Sequence, residues 1–232
     1  MAERAVLLPG MLCDSGLWAH VEPELALPAV HPELSAPSIT GMAEQVLAAA
    51  DGPFVLVGLS LGAIVGFEVA RLAPERIAGF AALDTNVAAP RAEQHESWRR
   101  MARRTRAGDF AAVVDDVLPT MYARADPPAE LAGEFRGMAE RIGSRRFLAQ
   151  LAAQHTRIDA RESLRGITAP ALVASGAEDA LCPPEFHREI AGLLPGSELH
   201  VVPGAGHLLP LESPVATAEL LNRLFRRCPP AT

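Results

Sequence analysis

Apolar positions along this chain fall into two patterns that alternate. Ala5–Leu8 (AVLL) is a short unbroken apolar run halted by Pro9-Gly10, and Phe54-Val55-Leu56-Val57 and Ile77 to Leu83 repeat that form. Runs without polar alternation suit strands buried on both faces of a parallel sheet. Between them the period changes. Met42-x-x-Gln45-Val46-Leu47 has helical spacing behind Thr40, which predicts a capped helix. Leu61 to Leu72 places Ile64, Val65, Val69 and Leu72 on one side of a helix, with Pro74 beyond its end. Strand, helix, strand, helix, strand implies right-handed crossovers.

From about Ala88 to Arg165 the strand signal vanishes into helical composition, broken at Pro119 and at Pro127-Pro128. The alternation then resumes, with a strand at Ala171–Ser175, a helix from Pro184 to Leu194, a strand at Leu199–Val202 and a closing helix from Glu212 to Arg226. The predicted fold is α/β: a mostly parallel central sheet with helices on both faces, built by residues 1–87 and 166–232. Residues 88–165 are predicted to form a helical cap. This insertion leaves after the third confident strand, so it should lie over the carboxyl ends of the strands, where open α/β sheets bind ligands.

Composition narrows the chemistry. With 49% hydrophobic and 21% charged residues, the chain can bury a full core and is not disordered. All 21 basic residues are Arg. The absence of Lys removes a pyridoxal-phosphate Schiff base, a Ser–Lys dyad and a P-loop. Tyr122 is the only tyrosine, which leaves little room for Tyr acid chemistry. A net charge of −7 argues against nucleic-acid binding. Cys13, Cys182 and Cys228 are far apart, form no C-x-x-C and have no His at zinc-ligand spacing, so three reduced thiols are expected and no metal. The opening residues lack the pattern of a signal peptide. The longest apolar stretch, Phe54 to Phe67, is broken by Gly58, Ser60 and Gly62 and is too short to cross a bilayer. A soluble cytoplasmic protein is the expectation.

The first complete strand-to-helix joint carries Gly58-Leu59-Ser60-Leu61-Gly62. A nucleophile elbow needs a strand ending and a helix starting around a strained serine, with flanking residues that lack a Cβ. FVLV before this motif and AIVGFEVA after it meet that demand, against the plainer reading of a Gly-rich βα turn. A serine needs a base. Of the seven histidines, His20, His31 and His95 read as surface residues, His155 lies in the insertion, His187 on a helix and His200 within a strand. His207 follows a strand in Gly204-Ala205-Gly206-His207, a loop able to fold back over the sheet. The orienting carboxylate is expected at another strand end. Asp179, in Gly176-Ala177-Glu178-Asp179, gives the chain order Ser60, Asp179, His207. Asp84, ending the third strand, and Glu178 are its rivals.

These motifs, with Leu7-Leu8-Pro9-Gly10-Met11, resemble the α/β-hydrolase fold superfamily over nearly the whole chain, and within it small bacterial carboxylesterases and lactonases. The resemblance implies a capped Ser–His–Asp hydrolase without a cofactor. It also implies an oxyanion hole from the backbone N–H of Leu61, directly after the nucleophile, and of Met11. The first loop of such proteins often reads His-Gly-x, and here Pro9 replaces that His. Leu12, Trp98 and Tyr122 are candidates for substrate contact, although packing inside the cap is the favoured use of Trp98 and Tyr122.

Residues 87–165 carry 14 Arg against 11 acids. Arg99, Arg100, Arg103, Arg104 and Arg106 are either a solvated, salt-bridged helix face or a site for an acidic substrate tail or acidic carrier protein. The expected reaction is hydrolysis of a small-molecule carboxylic ester or lactone. Thioester release, acyl transfer, C–C bond cleavage or lyase chemistry on the same triad, and a non-catalytic small-molecule receptor, are the alternatives.

Overall fold

A computed structural model describes residues 4–228. Its six strands are β1 (Ala5–Leu8), β2 (Ala29–Val30), β3 (Phe54–Leu59), β4 (Ile77–Leu83), β5 (Ala171–Gly176) and β6 (Glu198–Val202). They form one sheet in the order β2-β1-β3-β4-β5-β6, and every pairing is parallel. Side chains alternate across a strand, so each apolar run feeds both faces. Val6, Leu8, Leu56, Phe80, Ala82 and Val173 pack on one face, while Leu7, Val55, Val57, Leu59, Ala81, Leu83 and Leu172 pack on the other.

The first face is covered by α1 (Ile39–Ala49), α2 (Leu61–Leu72), α6 (Arg161–Arg165) and α7 (Pro184–Leu193). The second is covered by α9 (Pro214–Arg227), preceded by the single turn of α8 (Leu209–Glu212), and by the insertion. The insertion comprises α3 (Ala92–Arg106), α4 (Phe110–Val117) and α5 (Ala129–Gln154), the last bent where Gly143 takes a φ of +70°. α6 packs against α2 and α7, and its Leu164 belongs to their core. α6 therefore packs with the helices of the first face.

Some details depart from the sequence expectations. The cap of α1 is Ser38, whose hydroxyl accepts from the Gly41 amide, because the Thr40 hydroxyl is engaged in donating to Glu68 (2.6 Å). The closing helix breaks at Ser213, whose extended φ of −141° lets Pro214 begin a new helix. β2 has only two residues, both half-buried, and so leaves no periodic trace. Cys13, Cys182 and Cys228 are buried and unpaired.

Candidate active site

The site grows from the turn between β3 and α2. Ser60 sits there at φ 53° and ψ −113°, a strained conformation for a residue with a side chain. Two glycines make the turn sterically possible. A Cβ on Gly58 would lie 2.5 Å from the Ala63 backbone, and one on Gly62 would lie 2.2 Å from the Leu8 carbonyl oxygen of β1. β4 braces the turn, since the Ser60 amide donates to the Leu83 carbonyl (2.9 Å) and Thr85 Oγ1 donates to the Ser60 carbonyl (3.0 Å).

The loops after β5 and β6 reach the same point. His207 Nε2 lies 2.9 Å from Ser60 Oγ, and His207 Nδ1 lies 2.8 Å from Asp179 Oδ2. Asp179 Oδ1 accepts from the Leu181 and Cys182 amides at 2.9 Å each, which fills the carboxylate's other side. With Nδ1–H donating to Asp179, Nε2 is left as the acceptor of the serine proton. Ser60, His207 and Asp179 are thus one hydrogen-bonded chain, with the last two almost fully buried. Of the rivals, Glu178 is exposed. Asp84 is buried, Oδ1 accepts the Gly176 amide (2.9 Å), and no hydrogen bond joins it to His207. Burial, aided by the nearby Asp179 charge, holds the Asp84 carboxyl well above the ordinary range and so neutral.

The Met11 and Leu61 amides have no hydrogen-bond partner among the described residues. Leu61 opens α2, where the helix dipole favours negative charge. Met11 stands in a tight turn closed from the Cys13 amide to the Gly10 carbonyl, with Leu12 at φ 65°. The Leu12 amide is held by the buried Gln150 side chain of α5 (3.0 Å).

A cavity of about 240 Å³ opens beside Ser60 and His207. Gly10 and Met11 line it, as do Trp98 and Met101 of α3 and Asn86, Gln154, Arg157 and Cys182. Of the three predicted contact residues, Trp98 lines this space. Leu12 does not, because its side chain is fully buried in the core. Nor does Tyr122, which packs in the core while its hydroxyl donates to the Leu131 carbonyl (2.5 Å). Three arginines of α3 are paired with acids: Arg99 and Arg103 meet Glu96 of the same helix, and Arg104 meets Asp109 and Asp116 at α4. His95 and His155, read as unrelated, meet with their Nδ1 atoms 2.6 Å apart.

Three supports escaped the sequence reading. Glu212 accepts from the Ala123 amide (2.8 Å) and the Gly206 amide (2.7 Å), and the Leu208 amide donates to the Met121 carbonyl (3.1 Å), so His207 is gripped on both sides. His187, fully buried, accepts the Thr85 amide at Nε2 (2.9 Å), and burial pushes its pKa down to about 4. Gln150 is the third. Only the burial of polar types in apolar surroundings (Leu209-Pro210-Leu211-Glu212, Phe147 to Leu151) hinted at such roles. Asp179, Cys182 and His207 also bring metal-ligand atoms within 4.8 Å of one another. The first and last already bind each other, and burial keeps the Cys182 thiol protonated, so the set is occupied without a metal.

A family model described as the alpha/beta hydrolase family matches residues 5–220. The pimeloyl-(acyl-carrier protein) methyl ester esterase of Neisseria meningitidis is 28% identical over 186 residues, covering 78% of this chain and 70% of the relative. A biotin biosynthesis bifunctional protein of Teredinibacter turnerae is 27% identical over 82% of this chain, which spans only 36% of that relative's length. A malate-bound thermophilic esterase from Thermogutta terrifontis superposes with a TM-score of 0.91 at 26% identity, covering 97% of this chain and 90% of the other.

Proposed function

We propose that this chain, which belongs to the alpha/beta hydrolase family, cleaves a small carboxylic ester or lactone through an acyl-enzyme on Ser60, without a cofactor. The observation that carries the reading is the hydrogen-bond chain from Asp179 through His207 to Ser60, beside a cavity that Ser60, His207 and Met11 line. Ser60 Oγ attacks the carbonyl carbon as His207 Nε2 takes its proton, and Asp179 holds the imidazole in the required tautomer and stabilises the imidazolium. The Leu61 and Met11 amides receive the developing oxyanion, each worth about 3–4 kcal/mol of barrier. His207 returns the proton to the departing alkoxide. Water, deprotonated by His207, then releases the acid. A space of about 240 Å³ suits a short substrate.

A fluorophosphonate probe followed by peptide mass spectrometry tests this directly. Modification of Ser60, abolished in Ser60→Ala, is the expected result. No labelling, or labelling elsewhere, overturns the reading and favours a receptor. Ser60→Ala should lower kcat by on the order of 10⁴–10⁶.

The name of the Neisseria relative favours a second reading, in which the ester is borne by an acyl carrier protein. Under it, a carrier-linked methyl ester would be cleaved far faster than the free short ester. Neutralising the exposed Arg100 and Arg106 would erase that advantage.

A further inference from the structure

Arg157 is buried, at 8% exposure, and lines the cavity that holds Ser60 and His207. Its Nη2 donates to Asn86 Oδ1 (2.7 Å) and to the Ala88 carbonyl (2.9 Å), and its Nη1 to Gln154 Oε1 (3.3 Å). Nε has no partner at all. Every acceptor is neutral, and among the described residues no carboxylate pairs with this guanidinium.

Several of this chain's exposed arginines, by contrast, are paired with acids. On the surface Arg99, Arg103, Arg104, Arg136, Arg141 and Arg146 each face an Asp or Glu. Arg157 is the one arginine buried among the described residues, and it is left without an acid in a chain that has 28. Exposed pairs contribute little, whereas an uncompensated buried charge is expensive. Burial lowers its pKa to about 10, which still leaves it charged at neutral pH. The cavity walls repeat the asymmetry. Asn86, Gln94, Ser97, Thr120 and Gln154 supply neutral polar groups, no Asp or Glu lines the space, and Arg157 is its one permanent charge. A clamp between Gln154 and the Asn86–Ala88 segment explains three of the five N–H groups. It explains neither the charge nor the idle Nε–H.

We propose that Arg157 is a substrate-binding residue and that the substrate carries a carboxylate remote from the scissile carbonyl. The class is a half-ester of a short dicarboxylic acid, or a lactone bearing a carboxylate arm. The carboxylate pairs with the Arg157 guanidinium from the cavity side and supplies the missing counter-charge. This rests on the hydrolase reading above and names the substrate of that site.

Matched substrates test it on the full chain, with proton release followed near neutral pH. Monomethyl glutarate against methyl pentanoate places the charge on the acyl side, and 3-acetoxypropanoate against butyl acetate places it on the alcohol side. For at least one pair the acid is expected to exceed the neutral ester by about tenfold or more in kcat/KM, mainly through KM, as one charge-assisted hydrogen bond requires. Arg157→Gln should collapse that ratio, and Arg157→Lys should restore part of it. A neutral preference in both pairs overturns the proposal. So does a variant in which both members of a pair fall together while fluorophosphonate still labels Ser60, since Arg157 is then a structural clamp. Calorimetry separates this from failure of the hydrolase reading. Glutarate should bind the Ser60→Ala protein saturably, and at least about tenfold more weakly when Arg157→Gln is added. Absence of glutarate binding sinks the anion site whatever Ser60 does, and absence of Ser60 labelling sinks the hydrolase whatever glutarate does.

Discussion

Asp84 and Asp179 end neighbouring strands with the same side chain, yet their surroundings divide them. Asp179 receives two backbone N–H groups and the imidazole. Asp84 accepts the Gly176 amide, makes no hydrogen bond to His207, and burial pushes its pKa well above the ordinary carboxyl range. An amide mimics a neutral carboxyl well. Asp84→Asn should therefore keep kcat within about threefold, while Asp179→Asn should lower it by about 10⁴ on a chromogenic ester. The reverse pattern would transfer the orienting role to Asp84. His187 makes a second residue-scale prediction. Its pKa falls from 6.5 to about 4 because burial penalises the imidazolium, so the unfolded chain binds a proton that the folded chain refuses. Its contribution is intact above pH 6.5 and is lost as pH falls toward 4, by up to roughly 3 kcal/mol. Urea unfolding across that window should show the loss, and His187→Asn should flatten it. Ser60, Asp179 and His207 were legible in the sequence because each follows an apolar run at a glycine-marked joint. The choice between two strand-end aspartates was not settled by sequence, since it depends on how many amides converge on each. Leu12 and Tyr122 were misplaced for a similar reason, because a residue's type does not tell which side of a turn or helix faces the cavity.

Elements hold the geometry that these residues use. The β3–α2 joint fits only because Gly62 lets α2 approach the Leu8 carbonyl. Gly62→Ala would force the first turn of α2 away from β1. Loss of soluble protein, or a fall in Tm of more than about 8 °C by scanning fluorimetry, is expected from a backbone clash worth several kcal/mol. Retention of wild-type Tm and labelling would show that the elbow is laxer than its distances suggest. Gln150 makes the complementary case from the cap. Its carbonyl oxygen holds the Leu12 amide in a turn that Leu12 enters at positive φ. Gln150→Leu should relax that turn and lower kcat by about tenfold or more, through a misaligned Met11 amide, with KM nearly constant. Unbroken apolar runs made β1, β3, β4 and β5 visible in advance, and apolar 3–4 spacing did the same for α1, α2 and α9. β2 is too short to carry a period, and the Ser38 cap was hidden by a neighbouring Thr40 with other business.

At the scale of the molecule, the alternation of strand and helix spelled out the sheet. The silence of that signal after Val87 marked the insertion. How the insertion seats on the sheet was not readable, because it turns on single contacts such as Gln150 to Leu12 and Arg157 to Asn86. Charge counting alone cannot tell Arg99 and Arg103, facing Glu96 in solvent, from Arg157 in the interior. Replacing Arg99 and Arg103 together with Gln should change stability by less than about 1 kcal/mol and leave small-ester turnover unaltered; a larger shift in chemical denaturation would reveal a network where exposed pairs are drawn. The grip on His207 reaches furthest. Met121 and Ala123 of the insertion hold the imidazole loop through Leu208 and Glu212, so the roof and the proton carrier are hydrogen-bonded to one another. A recombination library that crosses over between residues 123 and 208 would inherit a roof from one parent and its moorings from another, and most such progeny would be inert. Diversity for new substrates belongs instead on the inward side of α3 and α4, which can be rewritten without unseating the base.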